Sequence, residues 1–309
     1  MKNSKQKIIS ALPVIALVWI SFAWGTTWIA SKEGVRYMPA IQLVAIRQFL
    51  GATVFLSFFI FKKAKWPNKS QWKSIFVLCF LNFICSNALS TWGVKYISSG
   101  LGAIIGTIFP LWLVLIQVVK KQYVPRNAIW GLLVCFLGIC VIFYDHLADF
   151  LNPDFVFGIV LSVIATFTWA LCSYYTVSYA QNFNPYFSLG IQMFISSILL
   201  YGICIGTNNT IPIDAIPVKS WYAIAYLVLI GSVMTFVAFI YVLQKFPPTV
   251  SSLYAYVNPI VALLLGVLFF KEPLTIAIGL GGILVLCGIY LVNLSIKKNR
   301  IIHYEKIKS

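Results

Sequence analysis

Charge is what this chain has least of. Only 10% of its 309 residues are Asp, Glu, Lys or Arg, while 61% are hydrophobic. A soluble domain averages about 25% charged residues. So few charges cannot coat a soluble protein of this size, and lipid is the natural solvent. Acids are scarcest, with seven Asp and Glu against 23 Lys and Arg and a formal net charge of +16. That excess does not describe a nucleic-acid binder, because the cations sit in short clusters between apolar runs with no basic domain. Histidine occurs only as His146 and His303, both in polar connections. Cys79, Cys85, Cys135, Cys140, Cys172, Cys204 and Cys287 are scattered through apolar runs, with no CxxC and no metal-ligand spacing. They read as small buried apolar residues. No metal and no cofactor is expected.

What the chain has in quantity is long apolar stretches. A spanning helix needs about 20 mostly apolar residues. Ten segments qualify: 11–31, 39–61, 73–93, 97–119, 127–144, 155–179, 186–206, 221–243, 248–270 and 274–296. The first follows basic residues, as a secretory signal does, but its apolar stretch runs from Ile8 to Ala30 without an A-x-A site. It reads as a membrane span. Connections are short and no soluble domain is inserted.

Orientation follows from the cations. With the N-terminus in the cytoplasm, that side collects Lys2, Lys5 and Lys7, the cluster Lys62 to Lys73, Lys120, Lys121 and Arg126, Lys245, and the basic tail 297–309. The outer side keeps only Lys32, Arg36, Lys95, Lys219 and Lys271. Both termini are therefore expected inside a cell (inner or plasma) membrane. A monomer and a homodimer both fit.

The two halves resemble each other. "YISSGLGAIIGTIFPLWLVLIQVVKKQ" (96–122) aligns with "KFPPTVSSLYAYVNPIVALLLGVLFFKE" (245–272), setting Pro110 on Pro259. Gly131 and Gly138 fall on Gly281 and Gly288. "FAWGTTW" (22–28) aligns with "FTWALCS" (167–173), setting Trp24 on Trp169 and, at the same offset, Arg47 on Gln192. Five spans per half is an odd number, so the second half enters the membrane from the other side. The expected fold is all-α and integral to the membrane, with ten transmembrane helices as two inverted five-helix repeats, 8–147 and 153–296. Inverted repeats with a midplane site are the architecture of secondary transporters.

These residues also carry a family resemblance. The "WG" at 24–25, Pro39, Arg47, the "SSGLGAII" run to Pro110, the glycines at 131 and 138 and the "NP" and "KEPLT" elements of the second half resemble the drug/metabolite transporter superfamily, EamA type. The resemblance covers nearly the whole chain. It implies a permease that moves small metabolites such as amino acids without ATP. The first half reads "KKQYVP" where the family usually has an acid, as at Glu272 here.

In lipid, a polar side chain must face a partner helix or a cavity. The candidate cavity residues are Trp24 and Trp28 of span one, Arg47 of span two, Asn82, Ser86 and Asn87 of span three, Trp169 and Ser173 of span six, Thr235 of span eight, and Ser251, Tyr254 and Asn258 of span nine. Aromatic faces can hold apolar or cationic groups, and amides and hydroxyls orient polar ones. The same Ser, Thr and Asn residues also fit helix-to-helix glue at about 1 kcal/mol each. Pro259 is expected to break the ladder beside Asn258. Gly102 and Gly106 form a GxxxG face for a close helix contact. Lys271-Glu272-Pro273 reads as a helix start. No acid lies at mid-span, which argues against proton antiport through a mid-span Glu. An embedded enzyme would need an intramembrane Asp pair, an Asp-rich metal motif or a Ser with a His base, and none is present. A scaffold or sensor without transport is the other alternative.

Arg47, in "VAIRQFLGA" (44–52), is the one cation inside a span. It lies eight residues past Pro39, about 12 Å deep at 1.5 Å per residue. Its insertion cost is at most roughly 2.5–3.5 kcal/mol. Two roles fit: an anchor bonded to backbone carbonyls, or a fixed cation facing the cavity.

Overall fold

The computed structural model describes residues 2–121, 125–144, 147–179, 183–246 and 254–308. Ser251, among the sequence candidates, lies outside them. In chain order the helices are α1 (Lys2–Val35), α2 (Ala40–Phe61), α3 (Lys69–Gly93), α4 (Ser99–Val119), α5 (Arg126–Tyr144), α6 (Pro153–Tyr179), α7 (Pro185–Gly206), α8 (Val218–Lys245), α9 (Tyr254–Phe270) and α10 (Ile276–Lys308). Among the described residues there is no strand. Seven helices (α1–α4 and α6–α8) are long and apolar enough to cross a bilayer, and α5, α9 and α10 carry shorter apolar stretches. The outer surface is studded with large apolar side chains, such as Phe61, Phe136, Leu137, Ile198 and Leu268, each more than half exposed. A surface of that kind is stable in lipid and not in water.

Helices are the economical choice there, because every backbone group must be satisfied within the segment. Their free N-terminal N–H groups are met by the polar residues the sequence places before them. Asn68 and Gln71 form a reciprocal capping box at α3, with bonds of 3.0 and 2.8 Å. Ser98 accepts from Leu101 at α4, Asn184 from Tyr186 and Phe187 at α7, and Thr275 from Ile278 at α10.

Three helices depart from regularity. α4 is interrupted at Thr107 and Ile108, so that it comprises Ser99–Gly106 and Phe109–Val119. Pro110 accounts for the break, since it has no N–H to donate to the carbonyl four residues back, that of Gly106. α3 and α8 each contain a π-helical stretch, Cys79–Asn87 and Leu227–Met234. No sequence signal pointed to either stretch.

Several expectations need correction. α9 stays helical through Pro259, which has no N–H to give to the ladder. Residues 271–275 are not a helix start: α10 begins at Ile276, and Lys271 takes a positive φ of 53°. The Glu272 carboxylate instead caps the other chain segment, accepting from Ser99 N (2.8 Å), Ser99 Oγ (2.8 Å) and Gly100 N (3.3 Å) at the start of α4. Gly102 and Gly106 do not admit a second backbone. A Cβ on either would meet the Trp28 indole, at 2.8 and 3.2 Å. The helix of α10 continues without a break as far as Lys308.

The packing is paired. α1 lies against α8 and α9, α6 against α3 and α4, α2 against α7, and α5 against α10. α5 and α10 cross at backbone contact: a Cβ on Gly138 would sit 2.7 Å from the Gly281 carbonyl oxygen, and one on Gly288 would sit 2.6 Å from that of Gly131. In the α2–α7 pair, Ser196 donates to Gln48 Oε1, and Met193 fills the space over Gly51.

Candidate functional site

Between these pairs lies a cavity of about 180 Å³. Two stripes with the same spacing line it: Trp24, Thr27, Trp28 and Ser31 on α1, and Ser162, Ala165, Thr166 and Trp169 on α6. Steps of three, four and seven residues put each set on one helix face. Ser86, Asn87, Ser90 and Thr91 of α3 supply a hydroxyl and amide wall, and Ala103, Gly106 and Thr107 line the break in α4. Arg47 of α2, Phe109 of α4, Phe236 of α8, and Tyr254, Ala255 and Asn258 of α9 complete the lining.

One end is aromatic. Trp24 stands edge-on to Trp169 at 6.3 Å and packs on Phe236 (5.5 Å), Phe239 (4.9 Å) and Tyr254 (5.0 Å). Its indole N–H donates to the Gly231 carbonyl at 3.3 Å, inside the π-helical stretch of α8. The stretch in α3 does the same, its Phe83 carbonyl accepting from Gln48 Nε2 at 3.2 Å. A π turn shifts the hydrogen-bond ladder, and in both helices a carbonyl of that stretch takes a donor from a neighbouring helix.

Arg47 is 5% exposed. Its Nε donates to Ser232 Oγ of α8 at 2.9 Å. Neither terminal nitrogen has a hydrogen-bond or ion-pair partner among the described residues, where Arg36–Glu33 is the one ion pair. Gly231 keeps this corner clear, since a Cβ there would lie 3.4 Å from Arg47 Nη2 and 2.8 Å from the Thr27 methyl. Elsewhere, the Glu272 carboxylate acts on the Lys32 ammonium by charge attraction. Lys32 Nζ donates to the carbonyls of Val94 (2.9 Å) and Ile97 (2.6 Å), beyond the end of α3.

Of the sequence candidates, Trp24, Trp28, Arg47, Ser86, Asn87, Trp169, Tyr254 and Asn258 border the cavity. Three others do not. Asn82 is buried one turn before Ser86, with its Oδ1 unpartnered. Thr235 is fully buried, accepting from Trp19 Nε1 (3.2 Å) and donating to the Ile230 carbonyl (2.6 Å). Ser173 donates to the Trp169 carbonyl of its own helix at 2.9 Å. Asn258 sits against the carbonyls of Ser21 and Tyr254, 2.6 and 3.0 Å away, which only its amide nitrogen can satisfy. Ser31, Thr107, Ser162 and Phe236 were missed. Ser31 and Ser162 extend the two aromatic stripes at helical spacing, a signal present in the sequence.

The GxxxG glycines supply a direct test of this geometry. Gly102→Val should push the Trp28 indole out of its slot, lowering the melting temperature of the purified protein in detergent micelles. Adding Trp28→Ala should recover part of that loss, a non-additivity expected only of groups in contact. Additive losses would separate the two residues.

The profile of the EamA-like transporter family matches residues 11–144 and again 156–294. The chain belongs to the EamA-like transporter family. This EamA-like transporter is 25% identical to an "uncharacterized transporter" of Archaeoglobus fulgidus over 90% of its own length and 97% of the relative's. It is 22% identical to the "uncharacterized transporter YoaV" of Bacillus subtilis, covering 93% and 99% of the two chains. The "uncharacterized inner membrane transporter YedA" of Escherichia coli K12 is 25% identical, over 81% and 80%. A solved structure titled "Crystal structure of protein" superimposes with a TM-score of 0.66 at 15% identity, covering 91% of this chain and 96% of that one. That likeness concerns the fold alone. The EamA-like transporter is thus a multi-pass membrane protein of a transporter family.

Proposed function

We propose that this EamA-like transporter is a secondary carrier of small metabolites, amino acids or related compounds among them, and that it works by alternating access between two inverted five-helix repeats, 8–147 and 153–296. The observation that carries the proposal is the central cavity, walled by matching stripes of α1 and α6, with Trp24 meeting its repeat counterpart Trp169 at one end. A site shared by both halves is reached from either side when the halves rock. The cavity volume suits a small solute, since about 30 Å³ holds one water.

Several features support the repeat reading. Adding five to each helix number turns the α1 contacts with α8 and α9 into the α6 contacts with α3 and α4. Gln48 meets Ser196, and their counterparts Met193 and Gly51 meet as well. The non-glycine residues of positive φ also pair: Lys63 with Asn208 after α2 and α7, and Lys121 with Lys271 after α4 and α9. The two π-helical stretches occupy corresponding places in α3 and α8. The distribution of Lys and Arg supports cytoplasmic termini.

The test is counterflow in liposomes loaded with a panel of labelled small solutes. Stimulated exchange of at least one solute is expected. Folded protein that exchanges none of them sinks the carrier reading. Tags on both termini should stain only after permeabilisation, and staining of intact cells would reverse the orientation.

A further inference from the structure

We propose that the cavity takes its substrate as a monocarboxylate, the carboxylate lying on the free edge of Arg47 and the apolar remainder on the aromatic cluster. This rests on the carrier reading and names the substrate class for the same site. Arg47 is nine-tenths buried and borders the cavity, and its Nε is committed to Ser232. That bond fixes the plane of the guanidinium and leaves Nη1 and Nη2 without partners among the described residues. Two parallel N–H donors on one planar edge match the two oxygens of a carboxylate.

Charge sets the valence. Among the described residues, no other charged side chain lines the cavity. A lone buried cation costs free energy that an incoming anion offsets, but one cation offsets one charge. A dianion would leave a negative charge uncompensated in a low-dielectric site. A phosphate monoester, carrying about −1.5 to −2 at pH 7, is disfavoured for the same reason. The remainder of the ligand meets Trp24, Trp169, Phe236 and Tyr254, which offer ring faces and edges. Ser86, Asn87 and Ser90 on α3 can serve a small polar substituent. The repeat counterpart of Arg47 does not duplicate it: Gln192 donates to Ser188 of its own helix at 2.9 Å. Only the first half therefore brings a charge to the site, beside Gly231, whose carbonyl holds the Trp24 indole.

The test uses the full chain, purified, with propionate, isovalerate and phenylacetate, each beside its neutral amide, and with phenylmalonate as a dianion. Thermal shift in micelles reads binding, because a ligand that binds only the folded state raises the melting temperature. Counterflow in liposomes reads transport. At least one monocarboxylate should stabilise the wild type and outcompete its amide by roughly tenfold, the equivalent of 1.4 kcal/mol. Phenylmalonate should do neither. Arg47→Gln should bring the carboxylate-to-amide preference to about one, and Arg47→Lys should restore part of it. A wild type that prefers the amides, or favours no carboxylate, overturns the proposal without any variant. An equal preference in wild type and Arg47→Gln overturns it too, and leaves Arg47 as a strut between α2 and α8. Exchange of neutral or cationic solutes alone keeps the carrier and removes the carboxylate. Carboxylate stabilisation without any flux keeps the site and removes the carrier.

Discussion

Glu272→Ala is expected to lower the stability of the folded protein by about 2–3 kcal/mol, the range for hydrogen bonds to a charged group combined with a lost helix-end charge interaction. The carboxylate accepts two backbone N–H groups and one hydroxyl at the start of α4. Removing it strands Ser99 N and Gly100 N, because Ser98 already serves Leu101. It also removes the negative charge beside Lys32, whose ammonium is held among the carbonyls of Val94 and Ile97. One side chain thus ties the α9–α10 connection to α4, and through Lys32 to the ends of α1 and α3. Space for it is reserved, since a Cβ at Gly266 would lie on the Glu272 Oε2. Glu272→Gln keeps one acceptor and should cost about half as much, because a neutral acceptor makes the weaker bond. Thermal unfolding in micelles reads both. Equal melting temperatures for wild type and Glu272→Ala would mean that these contacts contribute nothing net.

How far the sequence could be read depends on which physical demand a residue answers. The long apolar helices were legible because lipid forces internally bonded apolar segments, and the ends of α2 to α8 fell close to the expected ones, whereas α1 begins at Lys2 and α10 runs on to Lys308. Pro110 was visible, but the interruption falls upstream of it, after Gly106, and the same residue type at Pro259 left α9 helical. The π-helical stretches were not legible, because an altered ladder depends on donors from other helices, such as Trp24 and Gln48. The stripes of α1 and α6 were partly legible, since an indole in mid-span has a long reach and a regular spacing. Small polar residues were the hard cases. Ser173 bonds the carbonyl four residues back and Thr235 the one five back. Such local bonds satisfy a hydroxyl without a cavity, and no pattern of residue types separates them from Ser86 or Ser90. Arg47 was visible as an anomaly; its partner Ser232 was not, because the contact joins positions 185 apart.

The largest effect is expected at the crossing of α5 and α10. Gly281→Val should prevent recovery of folded protein or lower its stability by about 3 kcal/mol or more, the upper range for overpacking. A Cβ on Gly281 would lie 2.6 Å from the Gly138 carbonyl oxygen, 2.9 Å from Ile142 N and 2.5 Å from Ile142 Cγ1. Two of these are backbone atoms of the facing helix, so no rotamer change relieves them and the helices must part. Parting would unpack Cys135, Ile142, Val285 and Ile289, all almost fully buried. Without a hydrophobic drive between helices in lipid, that close packing is what holds the pair. The same helix supplies its own controls. Gly279 and Gly282 have nothing within 4 Å of an added Cβ. Gly282→Ala should therefore be neutral or stabilising by up to about 1 kcal/mol, the helix propensity of alanine over glycine. Expression, monodispersity and melting temperature of Gly281→Val, Gly282→Val and Gly282→Ala, measured side by side, decide the matter. If the two valine variants melt alike, the backbone contact between α5 and α10 is wrong. If Gly281→Val fails while Gly282→Val is recovered, the one-residue difference in face is the cause, because the new side chain, the helix and the membrane depth are then shared.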